Sequence, residues 1–113
     1  MVTIGLWTDL VDFGWSEGSQ VAGEVAMVVA EFGDGKRLAD PMRFHLYRRE
    51  WDEDGFIHAV PNPIEQRNAK ARLTLVRDRL AAGTLKFDGW EEIEPVYGSD
   101  RYHRNWRRWE TED

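Results

Sequence analysis

A chain of 113 residues without cysteine fits one domain with a core of its own, and it excludes a disulfide framework, thiolate zinc sites and a cysteine nucleophile. No apolar run approaches the roughly 18 residues of a membrane span, and the first basic residue is Lys36, so the expectation is a cytoplasmic protein without a secretory signal or membrane partner. The net charge of −6 disfavours general binding to nucleic acid, where Lys and Arg supply most of the affinity by neutralising phosphate.

The charge is unevenly spread. Residues 1–35 hold six acids and no Lys or Arg, residues 36–87 hold eleven bases against seven acids, and residues 88–113 hold four bases against eight acids. An acidic front and tail around a basic middle read as a steered protein contact or as a solvated surface.

Val2, Ile4 and Leu6 alternate with Thr3 and Gly5, the period of a short half-buried strand. Trp7 to Trp15 reads as irregular, because Leu10, Val11 and Phe13 fit either one helical turn after Thr8 or an extended path that ends at Gly14. Trp7, Asp9, Asp12, Trp15 and Glu17 form an acidic, aromatic segment without a base. Carboxylates on a rigid domain can occupy the basic, nucleic-acid-binding groove of a partner, with aromatics as anchors. Small acidic inhibitors encoded by phages and other mobile elements, including inhibitors of bacterial defence complexes, act in this way as a class.

Gly18 and Ser19 mark a turn. Val21 to Phe32 fits a helix through Val21, Val25, Val28 and Phe32, or a strand with two apolar faces. The tight-turn sequence Gly33-Asp34-Gly35-Lys36 favours the strand, entering a hairpin. Asp40-Pro41 breaks the chain. Arg43 to Glu50 then reads as a strand with Phe44 and Leu46 on one face and Tyr47 and Trp51 on the other, turned at Asp52-Glu53-Asp54-Gly55 onto Phe56 to Val60. The sum is an antiparallel meander of three to four strands.

Asn62 to Gly83 is the segment whose start, body and stop are all legible. Asn62 can cap a helix, Pro63 suits its first turn, and Gly83 supplies a left-handed stop. Ala69, Leu73, Val76 and Leu80 form the core stripe, and Ile64, Ala71, Leu75 and Ala82 lie near the opposite side. This second stripe points either to a further covering layer or to another chain, a copy of itself or a different protein.

Thr84 to Phe87 reads as a further strand, followed by a turn at Asp88-Gly89. Trp90, Ile93 and Val96 space the acids Glu91, Glu92 and Glu94, and Pro95 stops any helix there. Ser99 or Asp100 can cap a last amphipathic helix from Arg101 to Trp109, with Tyr102, Trp106 and Trp109 on one face and Arg104, Arg107 and Arg108 on the other. Its aromatics dock on the core while its arginines offset the nearby acids, or the arginine face contacts a partner, single-stranded nucleic acid included. The surrounding acids oppose the nucleic acid.

The histidines nominate no metal site. If Trp51 pairs with Phe56, His58 lies opposite Arg49, about 13 Å along the ladder from the level of His45. Asp52, Asp54 and Gly55 lack the first acid and the closing Glu of a calcium loop, and no phosphate-cradling glycine loop, nucleophile elbow or His-Glu-x-x-His is present. No catalytic residue, metal or cofactor is therefore assigned.

The reading is a single α+β domain over residues 1–113, a small antiparallel sheet packed against one central helix with a short C-terminal amphipathic helix. Its expected function is that of a non-catalytic protein-binding module, an inhibitor or regulator that meets a basic surface through its acidic N-terminal face. The alternatives are single-stranded nucleic-acid binding through Arg104, Arg107 and Arg108, and a small enzyme whose site is assembled only in the fold.

Overall fold

The computed structural model describes residues 1–93 together with the backbone of Arg107 and Arg108. Val2–Ser16 (β1) and Ser19–Phe32 (β2) form a long antiparallel hairpin, closed by a two-residue turn in which Glu17 has φ 52° and Gly18 has φ 77°. Positive φ at both central residues is the type I′ geometry that matches the twist of paired strands. β1 is thus continuous through Trp7 to Trp15, where the sequence suggested an irregular path. Gly14 bends the strand instead of ending it: at φ 115° it follows a register shift that leaves Phe13 as an extra residue between Asp12 and Gly14. The Phe13 ring lies over Gly23, where a Cβ would come within 2.3 Å of its Cζ.

Arg37–Ala39 (β3) and Phe44–His45 (β4) both pair with β2, and Glu91–Glu92 (β7) adds to β3. Tyr47–Trp51 (β5) and Ile57–Pro61 (β6) form a separate hairpin. The expected single strand from Arg43 to Glu50 is thus divided at Leu46, whose N–H donates to the Glu24 carbonyl and whose carbonyl accepts from Asn62 N–H. The main sheet runs β7-β3-β2-β1-β8, where β8 is Arg107–Arg108, and it holds more strands than the expected three to four.

Pro63–Ala82 (α1) has the predicted bounds. The Asn62 side chain accepts from Glu65 N–H, and Gly83 at φ 74° lets its own N–H and that of Thr84 return to the Leu80 and Arg79 carbonyls. Cross-strand register decides which sheet face α1 covers, since directly opposed residues share a face. Ile4 opposite Ala30 and Leu6 opposite Val28 are buried with Ala26, Phe44 and Leu46 against Ala69, Leu73 and Val76. On the other face Met27, Val29 and Ala39 are buried with Trp7 and Ile93 against them.

Polar contacts tie the helix to the strands. Gln66 Nε2 donates to the Leu46 carbonyl at 3.0 Å, Arg77 donates twice to the Ile4 carbonyl at 3.2 and 3.0 Å, and Arg72 meets Asp40. The basic edges of α1 are therefore partly structural.

Two expectations for the C-terminal part change. Thr84 to Phe87 is not a strand; Leu85, Phe87 and Trp90 pack on the core from a loop, and Phe87 meets both Phe32 and Trp90 edge to face at 5.4 and 5.0 Å. The helix expected over residues 101–109 lies outside the described residues except at Arg107 and Arg108, where the backbone is extended and pairs with Thr8 and Trp7. The outer edge of β1 supplies the main-chain donors and acceptors for that pairing. Among the described residues no helix is long and apolar enough to cross a membrane.

Candidate functional site

The two hairpins meet at the end of the molecule that carries the Glu17-Gly18 turn. Ser16 Oγ accepts from Ile57 N–H at 2.9 Å, and Arg49 Nη1 donates to the Phe13 carbonyl at 3.4 Å. Gly14 leaves room for Ile57, whose Cδ1 would lie 3.1 Å from a Cβ built there. The face of β5–β6 that bears Tyr47, Arg49, Trp51 and Ile57 is thereby turned toward the β1–β2 hairpin.

The acidic residues expected to act together are divided by the pleat. Trp7 opposes Met27 and Asp9 opposes Val25, both on the sheet face away from α1, whereas Asp12 opposes Ala22 and Trp15 opposes Gln20 on the face that carries α1. The extra residue Phe13 brings Trp15 to the same side as Asp12. Trp7 is half-buried with the Arg37 guanidinium 4.8 Å from its ring, and Asp9 is buried with Oδ1 accepting from Leu10 N–H. Asp12, Trp15 and Glu17 therefore stay together at the turn end, and Trp7 and Asp9 stand apart from them.

A second set of side chains joins this end. Trp51 and the turn residues Asp52, Glu53 and Asp54 are exposed there, and Arg49 stacks over the Trp51 ring at 4.8 Å. Trp15 is 69% exposed and Trp51 58% exposed, while both hairpins beneath them are hydrogen-bonded to one another. Among the described residues Asp12, Glu17, Glu53 and Asp54 form no ion pair. The result is an end bearing two exposed indoles and four carboxylates that form no ion pair among the described residues.

Asp52 organises the second turn. Its Oδ1 accepts from Asp54 N–H at 2.9 Å and Phe56 N–H at 3.0 Å, and its Oδ2 lies 2.7 Å from His58 Nε2. The hydrogen bond from His58, followed by that from Phe56, holds the Asp52 carboxyl below the ordinary aspartate value. The ladder itself is one residue away from the expected register: Trp51 opposes Ile57, so His58 faces Glu50 and not Arg49. Gly55 at φ 82° is the cause, because it allows Asp52 N–H to reach the Phe56 carbonyl and adds a residue to the loop. Among the described residues no group of three His, Asp or Glu side chains could hold a metal ion.

Sequence reasoning missed Trp51 and the Asp52–Asp54 turn as part of the acidic surface, since the contacts that bring them there join residues 36 and 41 positions apart. One signal was available. Both turns open on Trp, continue through acids and close on Gly, as Trp15-Ser16-Glu17-Gly18 and Trp51-Asp52-Glu53-Asp54-Gly55.

Of the other candidate contacts, Arg104 lies outside the described residues, and Arg107 and Arg108 are placed through their backbone alone, at the edge of β1. Ile64, Ala71 and Leu75 are all exposed on the outward face of α1. No family model, curated protein or solved structure matches this chain.

Proposed function

We propose that this chain is a non-catalytic protein-binding module, an inhibitor or regulator that presents its acidic, tryptophan-bearing end to a basic surface of a partner protein. The observation that carries this reading is the joint placement of Trp15 and Trp51, each more than half exposed, beside Asp12, Glu17, Glu53 and Asp54. Leaving an indole in water forgoes roughly 3 kcal/mol of burial at about 25 cal/mol per Å². Two such residues at one end of the molecule are suited to becoming buried anchors in a complex, where Trp is among the largest contributors. The carboxylates match arginine forks, and indole faces accept guanidinium groups, as Arg49 on Trp51 already does within the chain. Acidic steering also accelerates encounter with a basic groove.

The test is affinity capture of the partner from the native host, with its identity read by mass spectrometry, repeated with Asp12→Asn/Glu17→Gln and with Trp15→Ala/Trp51→Ala. A basic partner, released by added salt and lost with either double variant, supports the reading. Retention of the same partner at full strength by both variants would sink it.

A further inference from the structure

We propose that two copies of this chain associate through the outward face of α1, packed antiparallel about a two-fold axis in the register that sets Ala71 against the partner's Leu75. The inward face of the helix is used up by the sheet through Ala69, Leu73 and Val76. Outward, Ile64, Asn68, Ala71, Leu75, Asp78 and Ala82 recur at alternating four- and three-residue spacing, the seam of a helix pair. Ile64 is 63% exposed and Leu75 40% exposed.

The shape of this face is complementary to itself. A depression of about 310 Å³ is lined by Met42, Phe44, Asn68, Ala71, Arg72 and Leu75. Small Ala71 leaves the space, and Leu75, one turn further on, is the projection that fills the same space on the other copy. Antiparallel packing in that register also sets Ile64 against the partner's Ala82 and Asn68 against the partner's Asp78. Each layer then pairs a large group with a small one, or an amide donor with a carboxylate acceptor.

Charge selects the same arrangement. Flanking the seam, Glu65 comes beside the partner's Arg79, and the two-fold repeats the pair. Within the chain neither Glu65 nor Arg79 forms an ion pair with another described residue. A parallel arrangement would oppose Asp78 to the partner's Asp78 and set Arg72 beside the partner's Arg67, so it is rejected. The one like-charge approach in the antiparallel register is Arg72 near the partner's Arg72, and each of these guanidiniums is already balanced by its own Asp40 carboxylate at 2.6 Å.

From Ile64 to Ala82 the seam is about 27 Å long, at the small end of stable interfaces, so the dimer depends on concentration. Sedimentation equilibrium on the full chain from micromolar to millimolar concentration tests it. The mass should rise from one chain to two, and Leu75→Glu should hold it at one chain with an unchanged circular-dichroism spectrum. Glu65→Arg alone or Arg79→Glu alone should weaken association by about tenfold, because each places like charges together at both symmetric contacts. An equimolar mixture of these two variants restores both contacts and should recover the association. A single-chain mass at millimolar concentration, undiminished association of Leu75→Glu, or a mixture no tighter than its components would overturn the proposal and leave the stripe to a different protein.

Discussion

The carboxylate of Asp40, fully buried, lies 2.6 Å from Nε of Arg72, joining the turn after β3 to the middle of α1. The same residue accepts from Met42 N–H through its side chain and from Arg43 through its carbonyl. Arg72→Met removes one partner of a buried pair and should cost about 3–5 kcal/mol in urea unfolding, because the carboxylate stays behind without its cation. Asp40→Asn keeps an acceptor for Met42 and should cost less.

Gly23 and Phe13 form the second pair open to a stability test. A methyl group at position 23 would overlap the Phe13 ring, so Gly23→Ala should destabilise by about 1–3 kcal/mol. Adding Phe13→Ala removes the obstacle. The double variant should therefore show a favourable coupling energy in a mutant cycle, whereas simple additivity would deny the contact its steric role.

Glu17 occupies a left-handed position that a residue with Cβ adopts at a cost of roughly 1–2 kcal/mol. Glu17→Asn suits the type I′ turn better and should stabilise the chain by about 0.5–1 kcal/mol in thermal unfolding. On the proposed function the same change weakens partner binding by removing a carboxylate. A gain in stability with a loss in affinity would mark Glu17 as kept for its charge, and unchanged binding would remove it from the surface.

The Asp52–His58 pair predicts a pH dependence with a definite sign. Because the folded state depresses the Asp52 carboxyl, its stabilising contribution is fully present above the unfolded aspartate pKa and is lost as pH falls through the lower folded value. A carbon-detected NMR titration should place the Asp52 midpoint below that of an unstructured peptide. His58→Ala should move it upward; no movement would show that the histidine is not the main cause.

Legibility in the sequence followed the range of the determinants. α1 was readable to the residue because Asn62, Pro63 and Gly83 act within one turn of themselves. The strand at Val21 to Phe32, ambiguous with a helix by periodicity alone, was favoured by the turn sequence Gly33 to Lys36 that follows it. β1 was legible only over Val2 to Leu6, because further on Gly14 breaks local alternation and only pairing with β2 keeps Trp7 to Trp15 extended. The split of the acidic segment into Trp7 and Asp9 on one face and Asp12 and Trp15 on the other depends on the pleat and on one inserted residue. The contribution of Trp51 depends on tertiary contacts from Ser16 and Arg49. The second stripe of α1 was visible as a pattern, but its exposure could be seen only once the neighbours of the helix were in place.

All fourteen paired positions of the β1–β2 ladder descend from the turn at Glu17 and Gly18. Closing Ser16 on Ser19 first is cheaper in chain entropy than closing Val2 on Phe32 first by roughly 2 kcal/mol, from the logarithmic growth of loop cost with length. The ladder should therefore zip from its tip, so the rungs nearest the carboxylates and indoles gain order before those that receive α1. Folding φ-values for substitutions near Ser16 and Ser19 should exceed those near Ile4 and Ala30, so the Glu17–Gly18 end of the ladder would be ordered before its far end.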